Sequence, residues 1–333
     1  MLISGSLILV IILALIYAFV NGMRDSSSIV ATMISSRAFH PRVALGITAI
    51  AEFFGPFLFG VTVAKTIGGD IVASETMSLQ ALMVGLAGAI LWNLITWFFG
   101  IPSSSSHALI GGLIGAAWIS SGFDAIKMSG LVKVLLALFI SPLVGFVVGF
   151  LILRLIYLLA QRATPHINTF FKRSQIVTAV ALAFSHGTND AQKTIGIITL
   201  SLIISGSLAD FSIIPFWVVL VSAGVMATGT ALGGWRLIRT LGGKFYKIRP
   251  VHGFATQLTS GLVILTATAT GLPVSTSQVV SSAIIGVGAS ERFGKVRWRV
   301  ASDILTAWIV TIPVSAFFSA GLYAMLRFFN ISL

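Results

Sequence analysis

The chain has 333 residues, 56% of them hydrophobic and 9% charged, with a mean hydropathy of +1.02. Soluble domains carry about 25% charged residues, so a soluble fold is excluded, and the lack of cysteine excludes disulfides and thiolate metal sites. The formal charge of +12 does not point to nucleic acid, because Lys and Arg fall in short segments between apolar runs, as the positive-inside bias of membrane proteins produces.

In chain order, helical spans are predicted at 3 to 20, 43 to 62, 79 to 99, 131 to 158, 175 to 200, 213 to 234, 254 to 269 and 301 to 329. Two shorter apolar pieces, 104 to 119 and 276 to 288, follow Gly-Ile-Pro and Gly-Leu-Pro breaks. A crossing helix needs about 20 residues. The pieces flanking the second break are shorter than that and read as a re-entrant helical hairpin, whereas 79 to 99 is long enough to cross alone. Apolar runs continue to Leu333, so the first run is read as a span and not as a signal peptide.

The chain repeats itself. Asn21-Gly22-Met23-Arg24-Asp25 and His186-Gly187-Thr188-Asn189-Asp190 each set a Gly and an Asp into an apolar run, 165 residues apart. Lys65 to Gly69 matches Arg239 to Gly243, and Gly100 to Ser105 matches Gly271 to Thr276, at offsets of 174 and 171. Equivalent loops differ in basic content: 33 to 42 holds Arg37 and Arg42 while 201 to 212 holds no Lys or Arg, and 63 to 78 holds only Lys65 while 235 to 250 holds five basic residues, from Arg236 to Arg249. That alternation is what inverted-topology repeats produce. The expected architecture is therefore an all-α polytopic membrane protein with two inverted repeats, broken helices and re-entrant helical hairpins. Residues 1–160 form the first repeat, 161–174 a cytoplasmic linker and 175–333 the second repeat. Both termini are expected outside a plasma membrane.

An ionisable residue at membrane depth costs about 2.5 to 3.5 kcal/mol on insertion scales, so Asp25 and Asp190 are read as cation-coupling residues that bind Na+ or H+. Asn189, Gln192 and Thr194 are read as further oxygen ligands or anion donors. Local pairing, Arg24 with Asp25 and Lys193 with Asp190, is the structural alternative. Lys193 is expected to snorkel to the interface, with contact to the substrate as the alternative. The runs Ser103 to His107 and Val274 to Gln278 each follow a Pro and open an apolar helix. A helix N-terminus carries free amides and about half a positive charge, so Ser104, Ser105 and Ser106 facing Ser275, Thr276 and Ser277 would suit a tetrahedral oxyanion. Ordinary N-capping is the alternative. Glu52, aligned with Met226 in the other half, is read as a second protonatable site or an interhelical hydrogen-bonding group. His107 and His186 are read as helix-contact histidines, with titration during transport as the alternative.

His186 to Thr194, the run Gly100 to His107 and the Gly-Gly-Trp-Arg at 233 to 236 resemble the PiT inorganic phosphate transporter family across both halves. The resemblance implies a secondary transporter, not an enzyme, that imports phosphate with Na+ or H+ and uses no cofactor. It implies that Asp25 and Asp190 serve the cation, with Na+ near both, while Ser104, Ser105, Ser275, Thr276 and Ser277 cradle phosphate. Two departures stand out: the family usually has His or Asn before the first Asp and a Thr-Ala-Asn type triplet after it, where this chain has Arg24 and Ser26-Ser27-Ser28, and many members have an acidic residue near Gln257. Arg24 is expected either to replace a bound cation or to contact the anion. Expected partners are phosphate, Na+ or H+, the lipid bilayer and a second copy in a homodimer, with no nucleic acid. The alternative is another oxyanion such as sulfate. A membrane-embedded hydrolase built on Ser106 and His107 is remote, because adjacent helical residues do not face each other and no G-x-S-x-G elbow is present.

Overall fold

The computed structural model of the chain describes residues 4–58, 60–234, 238 and 246–330. Trp235, Arg236 and the segment 239 to 243, on which part of the repeat and family reading rests, lie outside these, as does Leu333. Among the described residues the fold is all-helical: α1 (Gly5–Ser35), α2 (Pro41–Leu58), α3 (Thr62–Lys65) with a π-helical turn at Thr66–Asp70, α4 (Leu79–Phe99), α5 (Ser105–Ser121), α6 (Met128–Leu159), α7 (Ile167–Ile204), α8 (Phe216–Leu232), α9 (Pro250–Ala269), α10 (Thr276–Glu291) and α11 (Trp298–Phe328). Five of them, α1, α2, α4, α6 and α11, are long and apolar enough to cross a membrane.

Sequence signals set several ends. Ser4, Ser78 and Ser104 cap α1, α4 and α5 by accepting from the amides of Leu7, Ala81 and His107 at 3.2, 3.1 and 3.1 Å. Gly100 and Gly271 close α4 and α9 with φ of 68° and 71°, the left-handed region that glycine enters without a Cβ penalty. Each then leads through a proline into the next helix.

Two helices run further than their hydropathy predicts. α1 continues as helix through Asn21, Arg24 and Asp25 to Ser35, and α7 spans 38 residues through the whole His186 to Thr194 motif. Every residue from Ser185 to Leu202 is buried. A helix surrounded by helices needs no apolar face of its own toward lipid, so polar side chains that find partners are tolerated there. Lys193 is 0% exposed; it does not snorkel, because its neighbours take its three protons within the core.

The halves interlock. α1 packs on α8 and α7 on α2, while α5 packs on α11 and α10 on α6. Two glycine crossings match: a Cβ on Gly22 would lie 2.1 Å from the Met226 carbonyl oxygen, and one on Gly187 would lie 2.1 Å from that of Glu52. Only hydrogen fits at either place, and the close approach brings α1 and α7 to the middle of the bundle beside the two breaks.

Candidate functional site

The breaks converge where α1 and α7 carry their motifs. The N-termini of α5 and α10 meet, with Gln278 Nε2 3.2 Å from His107 Nδ1 and Ser106 Oγ donating to the Val274 carbonyl at 3.2 Å. His107 Nδ1 also lies 3.1 Å from the Trp308 carbonyl. The amides of Ser105, Ser106, Thr276, Ser277 and Gln278 make no hydrogen bond among the described residues. Free donors from two helix ends thus adjoin in a buried region.

Each helix end is tied to one aspartate in the same way. Ser105 Oγ donates to Asp25 Oδ2 at 2.8 Å, and Thr276 Oγ1 donates to Asp190 Oδ2 at 2.9 Å. Asp25, His186 and Asp190 offer ligand atoms that all lie within 4.8 Å of one another, a spacing at which one cation can be shared. Like carboxylates this close and this buried repel, so the arrangement needs positive charge or a proton between them.

Some of that charge is built in. Lys193 Nζ is paired with Asp190 Oδ1 and donates to Ser106 Oγ at 2.6 Å and the Val274 carbonyl at 2.8 Å. His186 pairs through Nδ1 with Glu52, reaching across from α2, and its Nε2 lies 2.9 Å from Asp190 Oδ2 but out of line for a hydrogen bond. Arg24 does not pair with Asp25. Its guanidinium donates to Asn93 of α4 and to Ser103 Oγ and carbonyl at 2.7 and 3.2 Å, leaving only Nε without a partner. Asn189, the matching residue of α7, does the equivalent work: its side chain bonds Thr268 Oγ1 at 2.8 Å, the Leu272 carbonyl at 3.3 Å and the Val274 amide at 3.3 Å.

The remaining candidates divide. Ser104 caps its helix, and Ser275 and Ser277 lie 3.3 Å apart through their hydroxyls. Thr194 Oγ1 is buried without a partner. Gln192 is committed to a turn: its Oε1 accepts from the amides of Val63 and Ala64 at 2.8 and 3.2 Å, and its Nε2 donates to Gly60, which anchors α3 to α7. Gln257 bonds Thr178 and Thr32. Tyr17, which sequence reading did not single out, donates to the Ser105 carbonyl at 3.1 Å. A tyrosine in an apolar run of α1 carries no signal until the break is folded against it.

Apolar helices around a charged centre, with two broken-helix ends facing into it, define a membrane transporter. A profile described as the phosphate transporter family matches residues 21–166 and 159–319. The chain belongs to that family. It is 44% identical over 96% of its length to a Bacillus subtilis protein named "Probable low-affinity inorganic phosphate transporter", of which it covers 97%. A Rhizobium meliloti protein of the same name is 41% identical, with 94% of each chain covered. A solved structure described as the sodium-dependent phosphate transporter superposes with a TM-score of 0.89 at 25% identity, covering 98% of this chain and 100% of that one. Family membership makes this a transport protein and not an enzyme, so the hydrolase reading falls.

Proposed function

We propose that the chain is a secondary transporter that brings inorganic phosphate into the cell together with Na+ or H+. The observation that carries the reading is the meeting of two helix N-termini, each bonded by a hydroxyl to an intramembrane aspartate. In this reading phosphate is held by the free amides and hydroxyls of Ser105, Ser106, Thr276 and Ser277, and the coupling cation is held beside it, so that the pair crosses with less net charge than either alone. Lys193 already neutralises Asp190. Asp25 accepts a hydroxyl and pairs with no cation among the described residues, so the coupling Na+ or H+ is taken there, with His186 and Asp190 completing its surroundings. The relatives named as phosphate transporters and the sodium-dependent structural neighbour favour the same substrate.

Two inverted repeats in the cytoplasmic membrane, with both termini outside, are supported by the alternating loop charge and by the matched packing of α1 on α8 with α7 on α2. Purified protein in liposomes is expected to accumulate labelled phosphate under an imposed Na+ or proton gradient, and uptake under neither gradient would sink the proposal. Asp25→Asn is expected to fold and lose gradient-driven uptake. Single cysteines added to this cysteine-free chain on the loops 120–127 and 289–297 are expected to label from opposite sides of the membrane.

A further inference from the structure

A groove opens on the side of the bundle between α6 and α9, away from the charged centre. It has a volume of about 750 Å3 and follows α6 from Ser129 to Val148, a distance of about 28 Å at the helical rise. Its lining is apolar except for Lys133 and the hydroxyls of Ser129, Ser141, Thr266 and Thr270. Its floor includes Leu272 and Val274, the break residues whose carbonyls accept from Asn189 and Lys193.

The matching stretch of the other half's seam is filled, and that seam keeps only a smaller cavity of about 160 Å3 further along, beside Met83 and Leu322. With Gly100 aligned on Gly271 and the in-helix Pro313 on Pro142, both 171 residues apart, the seam between α4 and α11 corresponds to the one between α9 and α6. There Trp92 places its indole against Phe318, with ring centroids 6.3 Å apart, and donates to Thr311 Oγ1 at 3.2 Å. A Cβ on Gly88 would meet Ser319 Oγ at 2.0 Å. At the same offset, Trp92 and Thr311 become Val263 and Ile140, and both line the groove. The groove, of about 750 Å3, passes the level at which that indole and its hydrogen bond give way to two aliphatic side chains. Its volume lies within the range of about 300–1,000 Å3 typical of ligand cavities.

We propose that this groove binds an anionic phospholipid, with an acyl chain along Ile140, Val144 and Val263 and the headgroup phosphate met by Lys133. An apolar groove in the wall of a membrane protein faces acyl chains, which selects lipid over a polar solute. Lys133 is exposed and makes no ion pair among the described residues, and a lysine on a flexible stem reaches along the helix to a headgroup. The chain end would rest on Leu272 and Val274 and so back the break from the lipid side.

The full chain is reconstituted in phosphatidylcholine vesicles doped with phosphatidylglycerol or phosphatidylcholine bearing a photoreactive group near the acyl terminus. With the phosphatidylglycerol probe, cross-links on peptides holding Ile140, Val144 and Val263 are expected to exceed those on the lipid-exposed Ile309 and Phe317 of α11 at least tenfold. Val263→Trp, which rebuilds the other half's filling, is expected to lower them at least tenfold while α11 labelling stays constant. Ile140→Phe serves the same readout if Val263→Trp does not yield a monodisperse protein. Lys133→Gln is expected to bring the phosphatidylglycerol signal down to the phosphatidylcholine level. Uniform labelling of all apolar faces, labelling unchanged in the filled variants, equal labelling by both headgroups in the unmodified chain, or chain-to-chain cross-links at the groove in place of lipid would each overturn the proposal.

Discussion

The motifs of α1 and α7 share a scaffold and differ in charge. Asp25 and Asp190 each accept one hydroxyl from a helix end, and Arg24 and Asn189 each fasten the neighbouring break. Among the described residues, Asp190 alone of the two has a cation bonded to it, because Lys193 of α7 corresponds to Ser28 of α1 at the 165 offset. The cationic residue of α1 sits one position before its aspartate and turns to Asn93 instead. Two matching motifs can thus keep their geometry while one carries a fixed cation beside its carboxylate and the other does not.

The sharpest way to break this contrast is to remove the fixed cation. Lys193→Met leaves Asp190 buried beside Asp25 without its partner, and breaking a buried pair from one side costs about 3–5 kcal/mol. The variant is expected to melt well below the parent in detergent and to lose uptake, while the double variant Lys193→Met, Asp190→Asn recovers most of the melting temperature. Recovery of melting without the second change would show that Asp190 is compensated from elsewhere.

The shared scaffold is tested at the two glycine crossings. Gly187→Ala and Gly22→Ala each force a methyl onto a backbone carbonyl, and overpacking of this kind costs about 1–3 kcal/mol. Comparable losses in thermal melting are expected for both, and a tolerated change at one would end the equivalence of the crossings. Arg24→Asn substitutes the residue that α7 uses at the matching place. It is expected to cost about 1–3 kcal/mol, the range for leaving a buried polar partner unsatisfied, with phosphate uptake retained. Loss of uptake in a stable Arg24→Asn protein would make Arg24 an anion contact and not a fastener. Smallest is Ser104→Ala, where loss of an N-cap costs about 0.5–2 kcal/mol. Its effect is expected to be seen in melting and not in the choice of coupling ion.

Much of the arrangement was legible in the residues. The breaks at Gly100 and Gly271, the serine-rich runs after them and the paired aspartates were each visible as local departures from an apolar background. The extent of α1 and α7 was not, because polarity from Asn21 to Ser28 looks like a helix end when no surrounding helices are known. The destination of Lys193 was hidden for the same reason: snorkelling is the choice of a lipid-facing lysine, and this one faces Ser106, 87 residues away in sequence. The pairing of His186 with Glu52 spans 134 residues and joins the two halves. No periodicity within either helix encodes it. Gln192 was recognisable as an unusual polar residue, but its use in pinning α3 depends on a turn that hydropathy alone did not resolve.

The exchange of partners between the halves decides what can fold alone. α5 finds its packing partner in α11 and α10 finds its own in α6, just as α1 leans on α8 and α7 on α2. A single half would leave these faces bare, with Gly111 and Gly115 exposing the backbone that now rests on Ile312 and Ala316. Each half therefore closes its core only against the other, so neither set of helices is a folding unit by itself.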